Sequence, residues 1–183
     1  MAPEPTDPLE RVTIRSSGGV ELEGDLRRAS TADRRYSLSV LFLHGFPSAD
    51  VWADKIGADM TELCERASDE HLWNALTIRF RGCGNSTGEF SLARWVDDAS
   101  AAIRFLKAET KPDGLWVVGF GTGGAVGLIS GADDERVAGH VEGAERLGLL
   151  RGRGGGRRHA LTLPCAGGRH LGEESQAADP RSS

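Results

Sequence analysis

The chain has 183 residues, of which 39% are hydrophobic and 27% charged, so it can form one folded domain and its composition is not that of a disordered protein. The net charge of −5 argues against a general nucleic-acid binder, and no apolar run approaches the roughly 20 residues of a membrane helix. Three scattered cysteines, Cys64, Cys83 and Cys165, do not form a disulfide framework or a zinc-site pattern, and the acidic, proline-rich start is unlike a secretory signal. We therefore expect a cytoplasmic protein.

The composition changes sharply near the end of the chain. Residues 1–139 have a charge balance of −7, whereas residues 140–183 have a balance of +2, nine glycines and no aromatic side chain. Such a segment cannot bury enough apolar surface to offset the entropy lost on ordering. We expect a flexible N-terminus over 1–9, a folded domain over 10–139, and a disordered or aberrant Gly/Arg-rich tail over 140–183. A natural tail and an out-of-frame translation both stay open as explanations.

The first predicted elements are a hairpin, a buried strand and a helix. Residues 11–16 and 20–26 alternate between apolar and polar side chains, and Gly18-Gly19 between them predicts a turn. Residues 38–43 form a nearly continuous apolar run, which is typical of a strand buried on both faces. Residues 55–68 carry apolar side chains at helical spacing.

Strands and helices alternate along the next part of the chain. The predicted elements are a strand over 76–80, a helix over 92–107, a buried strand over 115–118, a helix over 125–130 and the start of a strand over 136–139. Ser91 is a candidate N-cap for the first of these helices. This alternation predicts an α/β fold with a mostly parallel sheet and a leading antiparallel hairpin. Functional residues in such sheets lie at the carboxyl ends of the strands.

Glycine-rich segments come after three of the predicted strands, at 44–48, 81–88 and 119–124. The last of them can be interpreted in two ways. As Gly119-x-Gly121-x-x-Gly124 it matches the dinucleotide fingerprint, in which glycines let the backbone approach a pyrophosphate. That fingerprint usually opens a domain and needs an acid at the end of a second strand. Glu142 has the spacing but has little apolar sequence around it.

The second interpretation is a nucleophile elbow on a tight strand-to-helix turn, with Gly119 and Gly123 as its flanking glycines. His44-Gly45-Phe46 and Arg81-Gly82-x-Gly84-x-Ser86-x-Gly88 precede it in order. With these three loops in register, residues 10–139 resemble the α/β-hydrolase family, and the leading hairpin resembles that of esterase and peptidase-like members. The resemblance implies a truncated α/β-hydrolase sheet.

The chain departs from this family at the nucleophile. The position that should carry it is Gly121, which has no side chain to attack a carbonyl. In the family, the acid and the histidine come after the elbow, on later strands. The available residues are Asp133, Asp134, Asp179, His140, His159 and His170, and none has a predicted strand to place it. We therefore expect a catalytically impaired chain without a triad that can be placed.

The resemblance also implies an oxyanion hole, formed by the backbone N–H groups of Phe46 and Thr122. His44, Gly45 and Ser86 are the candidate ligand-binding residues. The expected function is that of a hydrolase-like protein whose relatives cleave esters, amides or other acyl bonds of small molecules. A non-enzymatic binding module for a small molecule or carboxylate, and a dinucleotide binder, are the alternatives. We expect no cofactor, no metal, no nucleic-acid partner and no membrane partner.

Several residues near these loops have ordinary structural explanations. We expect His44 to hold its loop, Ser86 to hydrogen-bond locally, and Asp97 and Asp98 to be solvated on a helix surface. A displaced nucleophile at Thr122 is disfavoured, because its side chain would not point where the elbow points. The strand over 115–118 should lack a neighbour beyond 139, which would favour self-association through an uncovered edge.

Overall fold

The computed structural model describes residues 8–29, 37–46, 58–132, 137–142 and 159–162. The strands of this part are β1 (Glu10–Arg15), β2 (Glu21–Arg27), β3 (Leu38–Leu43), β4 (Asn74–Ile78), β5 (Gly114–Gly119), β6 (Val137–Glu142) and β7 (His159–Thr162). Its α-helices are α1 (Ala58–His71), α2 (Leu92–Thr110) and α3 (Thr122–Gly131). The predicted elements are therefore present, with ends that shift by a few residues.

The seven strands form one sheet in the order β1-β2-β4-β3-β5-β6-β7. The β1–β2 and β2–β4 pairs are antiparallel, and every other pair is parallel. The predicted mostly parallel sheet with a leading antiparallel hairpin is confirmed. Because β3 lies between β4 and β5, the carboxyl ends of these three strands meet at one edge. The three glycine-rich loops therefore start side by side.

Two apolar clusters cover the two faces of the sheet. On one face, Leu41 and Leu43 pack with the large buried side chains of α2, of which Trp95 is fully inaccessible. On the other face, Val40 and Phe42 pack with residues of α1. Successive side chains of β3 therefore enter opposite clusters, as expected for a strand buried on both faces.

Helix α2 begins at the predicted residue and ends later than predicted. Ser91 lies at the N-cap, but its side chain makes no capping hydrogen bond; its carbonyl oxygen accepts from the backbone N–H groups of Arg94 and Trp95. At the other end, the helix continues to Thr110 and ends at Lys111, which has φ 44° and ψ 55°. The backbone N–H of Lys111 donates to the oxygen of Lys107, which closes the last turn in left-handed geometry.

The sheet continues past residue 139. β6 pairs with β5 in parallel, and β7 pairs with β6 in parallel. The expectation that the strand over 115–118 lacks a neighbour on this side is therefore wrong. A ladder of backbone hydrogen bonds needs an extended chain and does not need apolar periodicity, which is why the sequence pattern missed it. The limit at 139 and the nature of the tail stay predictions, since most of 140–183 lies outside the described residues.

Within the described part of the chain, no helix is long and apolar enough to cross a membrane.

Candidate functional site

The loop after β3 lies directly against the turn after β5. The backbone N–H of Phe120 donates to the oxygen of Leu43 over 3.0 Å. A Cβ atom added at Gly45 would lie 2.6 Å from the carbonyl oxygen of Phe120 and 3.7 Å from the nitrogen of Thr122. Any side chain at position 45 would therefore collide with the turn, and glycine lets the two loops approach.

The turn after β5 has the shape of an elbow. Gly121 lies at the N-cap of α3 with φ 52° and ψ −119°, a backbone conformation that favours glycine. The N–H of Gly123 donates to the oxygen of Phe120, and the N–H of Gly124 donates to the oxygen of Gly121. A Cβ atom at Gly121 would meet no atom within 4 Å. Position 121 therefore points into open space at the start of a helix.

The flanking glycines of the elbow are required by the packing of the chain itself. A Cβ atom at Gly119 would lie 2.4 Å from the carbonyl carbon of Gly123, and one at Gly123 would lie 2.4 Å from the carbonyl oxygen of His44. Further along α3, a Cβ atom at Gly127 would lie 2.9 Å from a methyl carbon of Val117. Gly123 and Gly127 therefore let α3 approach the sheet closely.

Phe46 follows Gly45 in the loop after β3, and Thr122 belongs to the turn that Gly45 approaches. The N–H groups of Phe46 and Thr122 donate to no acceptor in the described part of the chain. Thr122 is the first residue of α3, where the free N–H groups and the helix dipole favour a negatively charged oxygen.

His44 joins the loop after β3 to the end of β4. Its Nδ1–H donates to the oxygen of Gly45 over 2.8 Å, and its Nε2 accepts from the backbone N–H of Phe80 over 3.1 Å. The pKa of His44 is lowered to about 4, mainly by burial and less by the positive charge of Arg79, whereas the bond to Gly45 opposes the shift. The ring is therefore neutral near pH 7, and both of its nitrogens have partners within the protein.

Ser86 is engaged with the first strands of the sheet. Its hydroxyl donates to the carbonyl oxygen of Arg79 over 2.6 Å and accepts from the backbone N–H of Glu23 over 2.9 Å. Thr87 makes a similar bond, accepting from the N–H of Glu21. These contacts fix the loop over 81–88 to β2 and to the end of β4, so the expectation that Ser86 bonds only within its own loop is wrong.

The expectation of a solvated Asp98 is wrong. Asp98 is fully buried, and its carboxylate accepts from the guanidinium of Arg81 at distances of 2.6 and 3.0 Å, and from the backbone N–H of Arg81. Asp98 lies three residues after Trp95 and four before Ala102, so it is on the buried face of α2. This spacing was the signal in the sequence that could have found it. Asp97 lies on the outer side, as expected, and accepts from Ser17 and Arg94.

An exposed aromatic pair lies beside the two N–H groups, and no pattern in the sequence indicated it. Phe46 is 59% exposed and Phe90 is 47% exposed. Their ring centroids are 5.4 Å apart in an edge-to-face arrangement, and Phe90 makes the same kind of contact with Trp95 at 5.3 Å. The loops after β3 and β4 therefore also meet through side chains.

Other candidate residues do not enter the described site. Cys83 is buried, and its burial raises the pKa of the thiol. Among the described residues, no group of three His, Cys, Asp or Glu side chains is placed to hold a metal ion. His140 and His159 lie on β6 and β7. The candidates Asp133, Asp134, Cys165, His170 and Asp179 lie outside the described residues.

A model of the alpha/beta hydrolase family matches residues 40–180 of the chain. The chain belongs to this family. The match includes residues beyond 139, where the resemblance seen in the sequence ended. No curated protein matches the chain in sequence.

Solved structures of this family share the fold. They include an esterase from Pyrococcus furiosus, with 22% identity, a TM-score of 0.58 and coverage of 73% of this chain and 49% of that one. A serine hydrolase without a lid from Xanthomonas campestris has 20% identity, a TM-score of 0.60 and coverage of 76% and 63%. The bottromycin epimerase BotH, solved with bottromycin A2, has 22% identity, a TM-score of 0.53 and coverage of 73% and 47%. The chain thus spans about half to 63% of the length of these proteins.

Proposed function

We propose that this chain binds small acyl compounds at the elbow and does not hydrolyse them through residue 121. The acyl oxygen would lie between the N–H groups of Phe46 and Thr122. The bound compound would be an ester, an amide or the corresponding carboxylate. Binding would persist without turnover, because the site keeps its electrophilic half and lacks its nucleophilic half.

The observation that carries this proposal is the geometry of Gly121. The backbone has the shape of an elbow, and the direction in which a side chain would project is open. A nucleophile placed there would be exposed at the helix N-terminus, yet glycine supplies no atom that can attack. Thr122, the next residue, starts the helix, and its side chain does not occupy the position of the missing one.

The surroundings of Gly121 support oxygen binding. Gly45 and Gly123 bring two backbone segments, the loop after β3 and the turn after β5, to within 2.4–2.6 Å of their added Cβ positions, so the two N–H groups lie on closely packed backbone. Preorganised donors of this kind stabilise a developing or full negative charge on oxygen.

The relatives suggest which chemistry has been lost and which could remain. One is an esterase and another a serine hydrolase, whereas BotH is an epimerase. The same fold therefore hosts hydrolytic and other functions, so an elbow without a nucleophile is compatible with binding.

A dinucleotide site at the turn over 119–124 has less support. The fingerprint belongs to the first strand of a doubly wound sheet, whereas this turn comes after β5 in a sheet of different order. The space beside two glycines of the turn is also taken, since neighbouring backbone atoms lie where a side chain of Gly119 or Gly123 would be. They do not need a pyrophosphate to explain them.

The direct test is turnover of 4-nitrophenyl acetate and butyrate by the full chain. We expect rates near the uncatalysed reaction for the protein and for Gly121→Ser, since a base is also required. Rapid turnover by the unmodified protein that is lost in Thr122→Ala would contradict the proposal, because it would make Thr122 the nucleophile.

A second test uses a thiol as a reporter of the elbow. In Gly121→Cys the new thiol would lie at the N-terminus of α3, which lowers the pKa of a cysteine. Gly18→Cys is the matched control, since Gly18 also has a positive φ and open space but lies in the β1–β2 turn. We expect the pH midpoint of iodoacetamide labelling to be about one unit lower for Gly121→Cys, after subtraction of labelling in the unmodified protein. Equal midpoints would contradict the proposed site.

A further inference from the structure

We infer that Phe46 and Phe90 form an aromatic surface that binds the apolar part of the acyl ligand. This inference rests on the proposed function, because the acyl oxygen is placed at the N–H groups of Phe46 and Thr122. It assigns the ligand class more narrowly: a carbonyl compound or carboxylate that carries an aromatic ring or hydrocarbon group next to its polar end.

The exposure of the two rings is the first observation. Among the described residues, the exposed large hydrophobic side chains are Phe46, Leu72, Phe90, Leu92 and Ile129. Two of these, Phe46 and Phe90, contact each other. Clustered apolar exposure of this kind marks a contact surface more often than isolated exposed residues do.

The rings are held from behind by a rigid aromatic stack. Phe90 contacts Trp95, and Trp95 stacks on Phe80 with centroids 4.3 Å apart and planes 10° from parallel. His44 lies edge-on to both Phe80 and Trp95. The indole N–H of Trp95 donates to the carbonyl oxygen of Arg81. The surface is therefore backed by buried, hydrogen-bonded groups.

The backbone near Phe90 is fixed as well. Gly82 has φ 75°, and a Cβ atom there would lie 2.6 Å from the nitrogen of Phe90. The residues before α2 are thus pressed against the loop over 81–88. A surface that is already ordered loses little conformational entropy when a ligand binds.

The position of Phe46 connects the ring surface to the polar anchor. The same residue supplies one of the two N–H groups that have no acceptor among the described residues, and the more exposed of the two rings. A ligand whose oxygen accepts from that N–H has its substituent close to the Phe46 side chain. Aromatic and aliphatic groups pack favourably on the free faces and edges of such rings.

The experiment is a titration of the ¹⁵N-labelled full chain, monitored by NMR, with phenylacetate, acetate and benzyl alcohol. Phenylacetate has both the ring and the carboxylate, and each of the other probes has one of them. We expect the amides of Phe46 and Thr122 and the indole N–H of Trp95 to shift together with phenylacetate. We expect phenylacetate to bind about tenfold more tightly than acetate.

The variants separate the aromatic surface from the N–H pair. In Phe90→Ala, phenylacetate affinity should fall about three- to tenfold, whereas acetate affinity should not change. Ile129→Ala is the control, because Ile129 is 61% exposed on α3 and does not belong to this surface. It should bind all three probes as the unmodified protein does.

The remaining outcomes distinguish the two proposals. If acetate and phenylacetate bind equally and Phe90→Ala changes neither, the aromatic surface is refuted and the N–H site stands. If benzyl alcohol binds as well as phenylacetate and no shift occurs at Phe46 and Thr122, the N–H site fails. If no probe binds and Phe90→Ala instead shifts a dimer to a monomer in sedimentation, the surface is an interface between copies and the inference is overturned. Absence of any shift also overturns it.

Discussion

Two loops at the same edge of the sheet are held in place by opposite means. The loop over 81–88 is tied down by buried charged and hydroxyl side chains, whereas the turn over 119–124 is tied down by the absence of side chains. In the first, Ser86 and Arg81 bond to other elements; in the second, Gly119 and Gly123 let backbone touch backbone. The side chains that look most reactive are therefore structural, and the groups that we propose for ligand binding belong to the backbone.

The charged contacts that hold the loop over 81–88 and the end of β4 come from two arginines that follow β4. The guanidinium of Arg79 donates to Asp25 of β2 over 2.6 Å, and Arg81 donates to Asp98 of α2. Asp25 also accepts from the hydroxyl of Thr61 on α1. All of these groups except Thr61 are buried, so each charge depends on its partner.

We expect the largest loss of stability when one partner of a buried ion pair is removed. Asp98→Ala leaves the Arg81 guanidinium buried without its partner and should lower the free energy of unfolding by about 3–5 kcal/mol. Asp97→Ala, one residue away and partly exposed, should cost less than about 1 kcal/mol. Urea unfolding of both variants measures the difference. Equal losses would show that burial of the pair does not determine its contribution.

The backbone packing of the turn over 119–124 can be tested by unfolding measurements as well. In Gly123→Ala the new methyl group would lie 2.4 Å from the carbonyl oxygen of His44, so backbone must move, and we expect a loss of about 3 kcal/mol. Gly121→Ala has open space and only an unfavourable φ, so it should lose about 1–2 kcal/mol. Thermal and urea unfolding give the ranking. A larger loss for Gly121→Ala would reverse this account of the elbow.

Features with a local pattern could be predicted from the sequence, and features that depend on tertiary approach could not. The apolar run over 38–43 and the spacing of glycines around Gly121 were enough to predict the buried strand and the elbow. Asp98 was misassigned because a carboxylate on a buried helix face is explained only by Arg81, whose approach depends on tertiary structure. Phe46 and Phe90 are 44 residues apart, and no periodicity in the sequence indicates that their rings meet.

A pH dependence is expected from His44, which links the two kinds of loop. Its pKa falls from the ordinary value of 6.5 to about 4 on folding. The unfolded chain therefore binds the proton more readily, so the stabilisation is complete above pH 6.5 and is lost as the pH falls toward 4. Between about pH 6.5 and 5 the contribution should fall by about 2 kcal/mol.

The contribution of His44 to this pH dependence is measured by urea unfolding of the protein and of His44→Gln at several pH values. The variant should be less stable near pH 7, because the neutral ring and its bonds to Gly45 and Phe80 are lost. Its stability should change less over the acid range, by about the same 2 kcal/mol. Parallel curves for the two proteins would assign the acid sensitivity to other groups.

The smallest effect is expected at the left-handed residue that ends α2. Lys111 is exposed and has φ 44° at the end of α2, so a residue with a side chain already bears a positive φ there. Lys111→Gly should raise the free energy of unfolding by about 0.5–1 kcal/mol, since glycine removes the strain of the left-handed conformation. Arg104→Gly, at an exposed position inside the same helix, should lower it by about 1 kcal/mol. If Lys111→Gly is as destabilising as Arg104→Gly, positive φ carries no measurable strain at the end of α2.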